Sequence, residues 1–212
     1  MTPRERIASA RLYLVCDARP RAFLTAALRG GVDILQLRDK ALDDAGLVAA
    51  AAAFREAAGE AGALFVLNDR PDLVAACGAD GVHVGQDDAP VAAARAAVGP
   101  ERIVGRSTHA PEQGAAADAD PDVDYVVAGP VHETPTKAGR PAVGVEYVAW
   151  AGEHVQTPWF AIGGLHAGNV AEVVAAGARR IVVVRALTEA ADVEGAARAL
   201  RGALEVGVGA QP

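Results

Sequence analysis

Eight short apolar runs punctuate this 212-residue chain, and Ala-rich amphipathic stretches lie between them. The runs are RLYLVC (11–16), VDILQLR (32–38), ALFVL (63–67), GVHV (81–84), RIVGR (102–106), VDYVVA (123–128), WFAI (159–162) and RIVVV (180–184). The helical stretches are clearest at 43–61, 89–98, 166–176 and 192–204. Asp43, Asp44 and the Arg70-Pro71 step supply helix-start signals, and Gly59, Gly78, Gly99 and Gly177 stand where helices are expected to end. Strands that alternate with helices in this way build a parallel sheet. Eight such units closing on themselves make an α/β protein of the (β/α)8 TIM-barrel class. A doubly wound open sheet is the alternative, but no GxGxxG follows the first run. No linker or low-complexity tract divides the chain, so one domain over residues 1–212 is expected.

Only 4% of the residues are aromatic against 51% hydrophobic, so Ala, Val, Leu and Ile must supply the core. A net charge of −7 argues against nucleic acid or an anionic membrane surface as the partner, though not against a local cationic pocket. The opening MTPRERIASA has no apolar signal segment, and no run is long enough to cross a bilayer, so a cytoplasmic location is expected. Cys16 and Cys77 lack any metal-like spacing and are expected to be buried, reduced thiols. Homo-oligomerisation is left open.

In a barrel of this class the active site lies at the C-terminal ends of the strands. Polar clusters fall there repeatedly: QLRDK (36–40), ND (68–69), GQDD (85–88), RST (106–108), GPVHETPTK (129–137), IGG (162–164) and VR (184–185). Side chains alternate along a strand, which puts Gln36, Arg38 and Lys40 on one face and Leu35 and Leu37 on the other. If the polar set faces inward, an amide and two cations line the mouth and suit a diphosphate, with Arg as a fork and Lys as a point charge. The set could also pair with neighbouring carboxylates. Asp69 and Asp88 end adjacent strands and could hold Mg²⁺. Taken alone, Asp69 reads first as a helix N-cap before Arg70-Pro71, and spacing does not separate Asp87 from Asp88 as a ligand.

Ser107 is one of only two Ser residues, and His109 lies nearby. No GxSxG elbow or partner acid accompanies it, so a hydrogen-bonding role is expected rather than a nucleophilic one. The five His show no zinc-site spacing, and His154 and His166 are expected at the surface. Gly163, Gly164, Val184 and Arg185 sit after the last two strands, where barrels of this class often bind phosphate.

The segment after the sixth run is the longest connection, and loops of that length in compact domains tend to be functional or disordered. Its TPTK (134–137) offers two hydroxyls and one of the chain's two Lys, with Pro135 limiting the backbone between the Thr residues. The tail 138–144 is expected to be mobile without ligand.

Taken in order, QLRDK, LND, GVHVGQDD, GRSTH, GPVHETPTKAGRPA, AIGG and VVVRA resemble the thiamine phosphate synthase family over nearly the whole chain. The resemblance implies a Mg²⁺-dependent transferase that joins hydroxymethylpyrimidine diphosphate to a thiazole phosphate, releasing pyrophosphate. It implies that Gln36, Arg38, Lys40, Asn68, Ser107 and Lys137 bind the pyrimidine diphosphate, with Lys40, Lys137 and Arg38 as the catalytic charges. It implies Asp69 and Asp88 as metal ligands, and Thr134, Pro135, Thr136, Gly164, Val184 and Arg185 at the thiazole phosphate. Many relatives have Ser where this chain has Arg185, which changes any side-chain contact there. The readings that compete are a thiazole tautomerase-like isomerase on the same barrel and a non-catalytic phosphate-ligand sensor.

Overall fold

The computed structural model describes residues 1–133 and 141–206. Eight parallel strands close in sequence order into a barrel: β1 (Leu12–Cys16), β2 (Ile34–Leu37), β3 (Leu64–Asn68), β4 (Gly81–Val84), β5 (Ile103–Thr108), β6 (Tyr125–Ala128), β7 (Trp159–Ile162) and β8 (Ile181–Val183). The helices are α1 (Pro3–Ser9), α2 (Arg21–Arg29), α3 (Asp44–Ala61), α4 (Val74–Cys77), α5 (Val91–Val98), α6 (Pro111–Ala119), α7 (Gly144–His154), α8 (Val170–Ala175), α9 (Arg185–Thr188) and α10 (Val193–Val206). The expected TIM barrel is therefore the observed fold. No helix among the described residues is long and apolar enough to cross a membrane.

Some helix boundaries differ from expectation, among them the start of α8, which lies at Val170 rather than at 166. Gly59 lies inside α3 with open space around it; the helix runs on to Ala61 and stops at Gly62, which takes the left-handed conformation. Asp69 is not an N-cap, because the short 3-10 turn Pro71–Leu73 begins after Arg70.

The alternation along each strand separates two cores. Leu12, Leu14, Leu35, Leu37, Phe65 and Leu67 face outward and pack under the helices. Tyr13, Val15, Ile34, Val66, Tyr125, Val127, Phe160 and Val182 fill the inside. Gly105 is required there: a Cβ would lie 2.0 Å from the Tyr125 ring. The N-terminal mouth is closed by α1, started by a Thr2–Glu5 capping box, which inserts Ile7 into the inner core. Burying that side chain contributes about 1.5–3 kcal/mol.

A repeated carboxylate stitches the same end. Asp33, Asp80 and Asp124 precede β2, β4 and β6, and each donates its backbone N–H to the preceding strand, at Leu12, Phe65 and Val104. Each side chain also accepts the N–H of that same residue, at 3.0, 2.9 and 2.8 Å. Arginines neutralise all three: Arg201 on Asp33, Arg6 on Asp80, and Arg95 with Arg4 on Asp124. The Asp124 and Arg95 side chains are 8% and 12% exposed. Asp124→Ala takes the nearest carboxylate from a buried guanidinium that keeps Asp122 at 3.7 Å, and leaves a strand N–H without its side-chain acceptor. It should lower unfolding free energy by about 1–3 kcal/mol in denaturant titrations. A loss within about 0.5 kcal/mol would show that the latch carries no stability.

Candidate active site

The opposite, C-terminal mouth holds an open cavity of about 620 Å³. Its wall includes Gln36, Arg38, Lys40, Asn68, Asp69, Asp88, Ser107, Gly164, Val184 and Arg185, which are all the expected site residues that lie among the described ones. Thr134, Pro135, Thr136 and Lys137 lie outside the described residues, as do residues 138–140 of the expected mobile tail. Of the rest of that tail, Val143 and Gly144 donate their N–H groups to the carbonyls of Pro130 and Val131.

Strand β2 supplies one side. Gln36 is 3% exposed and points into the barrel, while Arg38 and Lys40 follow it to the rim. The Arg38 side chain makes no ion pair among the described residues. Lys40 is exposed and reaches within 3.7 Å of Asp69. Asp39 instead secures the loop, accepting from the N–H groups of Ala18 and Ala41 at 3.2 and 3.1 Å.

The ends of β3 and β4 supply two carboxylates. Asp69 has a φ of 60°, the sole positive value outside glycine among the described residues. Asp tolerates this region better than most residues, and such strain collects at functional sites. The Asp69 side chain meets that of Asp88. Burial first, and then Asp88, pushes the Asp69 carboxyl up, while Asn68 and Lys40 pull it the other way. Asp88 is itself held by the Gly85 N–H at 2.8 Å, and Arg106 donates to the Gly85 carbonyl at 2.7 Å. Geometry thus favours Asp88 as the partner of Asp69, where spacing alone left Asp87 equally open.

At the far side, Gly163 (φ 119°) and Gly164 (φ 65°) make the bend after β7. A Cβ on Gly163 would lie 2.5 Å from the Val131 nitrogen. That closeness lets Val131 and His132 donate their N–H groups to the carbonyls of Ile162 and Gly163, at 2.7 and 3.2 Å. The start of the long connection is thereby pinned beside the glycine bend.

Residues 12–187 match the family model described as thiamine monophosphate synthase. The thiamine-phosphate synthase of Thermobifida fusca is 54% identical over 206 residues, 94% of each chain. The chain belongs to the thiamine-phosphate synthase family. The Thermus thermophilus enzyme of that name is 52% identical over 200 residues, covering 90% of this chain and 95% of the other. In three dimensions, a thiamine phosphate pyrophosphorylase from Pyrococcus furiosus superposes with a TM-score of 0.86 at 31% identity, covering 95% of this chain and 98% of that one. A 3-hexulose-6-phosphate synthase, at 21% identity and a TM-score of 0.68, shares the fold alone.

Within this thiamine-phosphate synthase barrel, Ser107 takes a different partner from the His109 that its sequence neighbourhood suggests. Its Oγ lies 2.8 Å from Nε2 of His83, on the adjacent strand. His109 turns away and bonds the Gly129 carbonyl through Nδ1. The other nitrogen of His83 meets the Tyr125 hydroxyl at 3.2 Å. A Tyr behind the His, rather than a carboxylate, does not build the Ser-His-acid arrangement that activates a nucleophile. Burial pushes the Cys16 thiol up to about 12 and raises that of Cys77, so neither is a reactive thiolate. His154 and His166 are exposed, as expected, although His166 edges the cavity.

Sequence reasoning missed Tyr13 and His83 as cavity-lining residues. The available signal was strand alternation: both occupy inward positions flanked by outward apolar residues, as Gln36 does. Among the described residues there is no group of three or more His, Cys, Asp or Glu that could hold a metal. What the mouth offers instead is a carboxylate pair beside two cations, Arg38 and Lys40, the latter 3.7 Å from Asp69.

Proposed function

We propose that this chain transfers the 4-amino-2-methylpyrimidin-5-ylmethyl group from its diphosphate to a thiazole phosphate, forming thiamine phosphate and pyrophosphate with Mg²⁺ as cofactor. The observation that carries this reading is the meeting of the Asp69–Asp88 pair with Arg38 and Lys40 in one cavity. Two carboxylates forced together beside a cationic wall fit a hard divalent ion that completes its shell with substrate phosphate oxygens. Asp69 and Asp88 would hold Mg²⁺, which when bound neutralises charge gathering on the departing pyrophosphate.

The protein's own side chains divide the remaining work. Arg38 would grip the diphosphate with its planar fork, and Lys40 would follow it as a mobile charge. Gln36, Asn68 and Ser107 would hold the pyrimidine end, and Lys137 would add a further cation. Loss of pyrophosphate leaves a pyrimidinylmethyl cation that the ring delocalises. Charge stabilisation on the leaving group therefore matters more than a strong base. The thiazole nitrogen is the nucleophile, aimed by its phosphate at Gly164, Val184 and Arg185 together with Thr134, Pro135 and Thr136. No side chain forms a covalent intermediate. The chain would act as one cytoplasmic catalytic domain on small-molecule substrates. An isomerase of the tautomerase kind needs neither the carboxylate pair nor a diphosphate grip, and nothing among the described residues of the mouth favours it.

The test supplies both substrates with Mg²⁺ and follows thiamine phosphate and pyrophosphate in equal amounts. Turnover should vanish with EDTA and return with excess Mg²⁺. Absence of product, or turnover indifferent to EDTA, would overturn the reading.

A further inference from the structure

A continuous hydrogen-bonded run crosses the inside of the barrel beneath the cavity. Gln36 Nε2 donates to the Tyr13 hydroxyl. The Tyr13 and Tyr125 hydroxyls lie 3.0 Å apart, Tyr125 meets His83 Nδ1 at 3.2 Å, and His83 Nε2 meets Ser107 Oγ at 2.8 Å. Both Tyr residues are fully buried, and burial raises both phenols, so each remains a neutral O–H. Gln36, Tyr13, His83 and Ser107 line the cavity, with Gln36 and Ser107 at the two ends of the run; Tyr125 is not part of its wall.

A hydroxyl has one proton to give, so the links of such a run are not independent. With Gln36 donating to Tyr13, the Tyr13 proton goes to Tyr125 and the Tyr125 proton goes to His83 Nδ1. With its Nδ1 accepting, His83 carries a proton on Nε2 and gives it to Ser107. The Ser107 hydroxyl is left to donate into the cavity, and the Gln36 carbonyl Oε1 is left to accept. Reversing the whole run exchanges these two roles, and reversing one link alone leaves a buried hydroxyl proton without an acceptor in the run.

We propose that Tyr13 and Tyr125 are positioning residues that set the direction of this run, so that the cavity floor offers an acceptor at Gln36 and a donor at Ser107 to an amino-substituted nitrogen heterocycle. Such a ring presents the complement, an amine that donates and a ring nitrogen that accepts. The inference rests on the proposed function for the identity of the ring, but the direction of the run is a property of the protein alone.

Two measurements separate those layers. In substrate-free protein, ¹⁵N shifts of His83 should report the Nε2–H tautomer, and Tyr125→Phe should convert it to a tautomer mixture. A predominant Nδ1–H form in the wild type overturns the proposal whatever the enzyme does. In steady-state assays, Tyr125→Phe should raise KM for the pyrimidine diphosphate about tenfold, the scale of one hydrogen bond, and leave KM for the thiazole phosphate unchanged. Wild type should prefer the amino substrate over its des-amino analogue at least about tenfold, and the variant should lose most of that preference. Tyr13→Phe cuts the adjacent link and gives the same readout if Tyr125→Phe does not fold. Equal discrimination in wild type and variants overturns the positioning role alone. No wild-type turnover of either substrate removes the proposed function, and the heterocycle part of this inference with it.

Discussion

Asp69→Asn should lower kcat by about 10²–10³-fold, the scale of losing one preorganised charge-stabilising contact, while the melting temperature holds or rises. The two effects have opposite signs because the native carboxyl sits against Asp88 in a half-buried place that raises it. Removing the like charge relieves the metal-free protein and removes half of the proposed Mg²⁺ site. Asn also tolerates a left-handed backbone, so the φ of 60° at this position survives the change. Asp88 is a poorer probe, because its carboxylate also anchors the Gly85 N–H. Steady-state assays across a Mg²⁺ titration, with thermal melts in EDTA, decide the matter. A parallel fall in stability and turnover would mark Asp69 as structural.

Arg38→Ala is expected to reduce kcat/KM for the pyrimidine diphosphate by about 10²–10³-fold as well, with unfolding free energy changed by less than about 0.5 kcal/mol. A half-buried guanidinium with no ion pair among the described residues has little folding role to lose. Arg38→Lys should restore only part of the activity, since a point charge cannot reproduce two parallel donors. Full rescue by Lys would show that net charge suffices and that the fork geometry is irrelevant. Destabilisation by more than about 2 kcal/mol would instead place Arg38 in the scaffold.

Much of this architecture was legible because barrel chemistry follows strand periodicity. The inward direction of Gln36 and the outward direction of Leu35 and Leu37 required only the alternation of a strand. The ends of the strands marked the mouth, and the odd residues of an Ala- and Val-rich chain collected there. Long-range partners were another matter. Tyr13 and Tyr125 are 112 positions apart, and each reads as core within its own apolar run. Asp33, Asp80 and Asp124 look like ordinary turn residues until a neighbouring strand supplies the N–H. The Ser107–His83 bond was hidden because the closer histidine in sequence faces another carbonyl. Local pattern reports which way a side chain faces; what it meets depends on closure.

The carboxylate stitches at the lower mouth are unevenly distributed, and that gives the barrel a grain. They couple β1 to β2, β3 to β4 and β5 to β6, but position 180, ahead of β8, is arginine. Its guanidinium donates to the Ala8 carbonyl at 2.7 Å, so the last strand is fastened at this end to α1. The same short helix sends Arg4 to Asp124 and Arg6 to Asp80. Seven helical residues at the start of the chain therefore serve as the keystone of a ring whose opposite rim does the chemistry. Trimming back to the first strand would loosen three separate sectors at once.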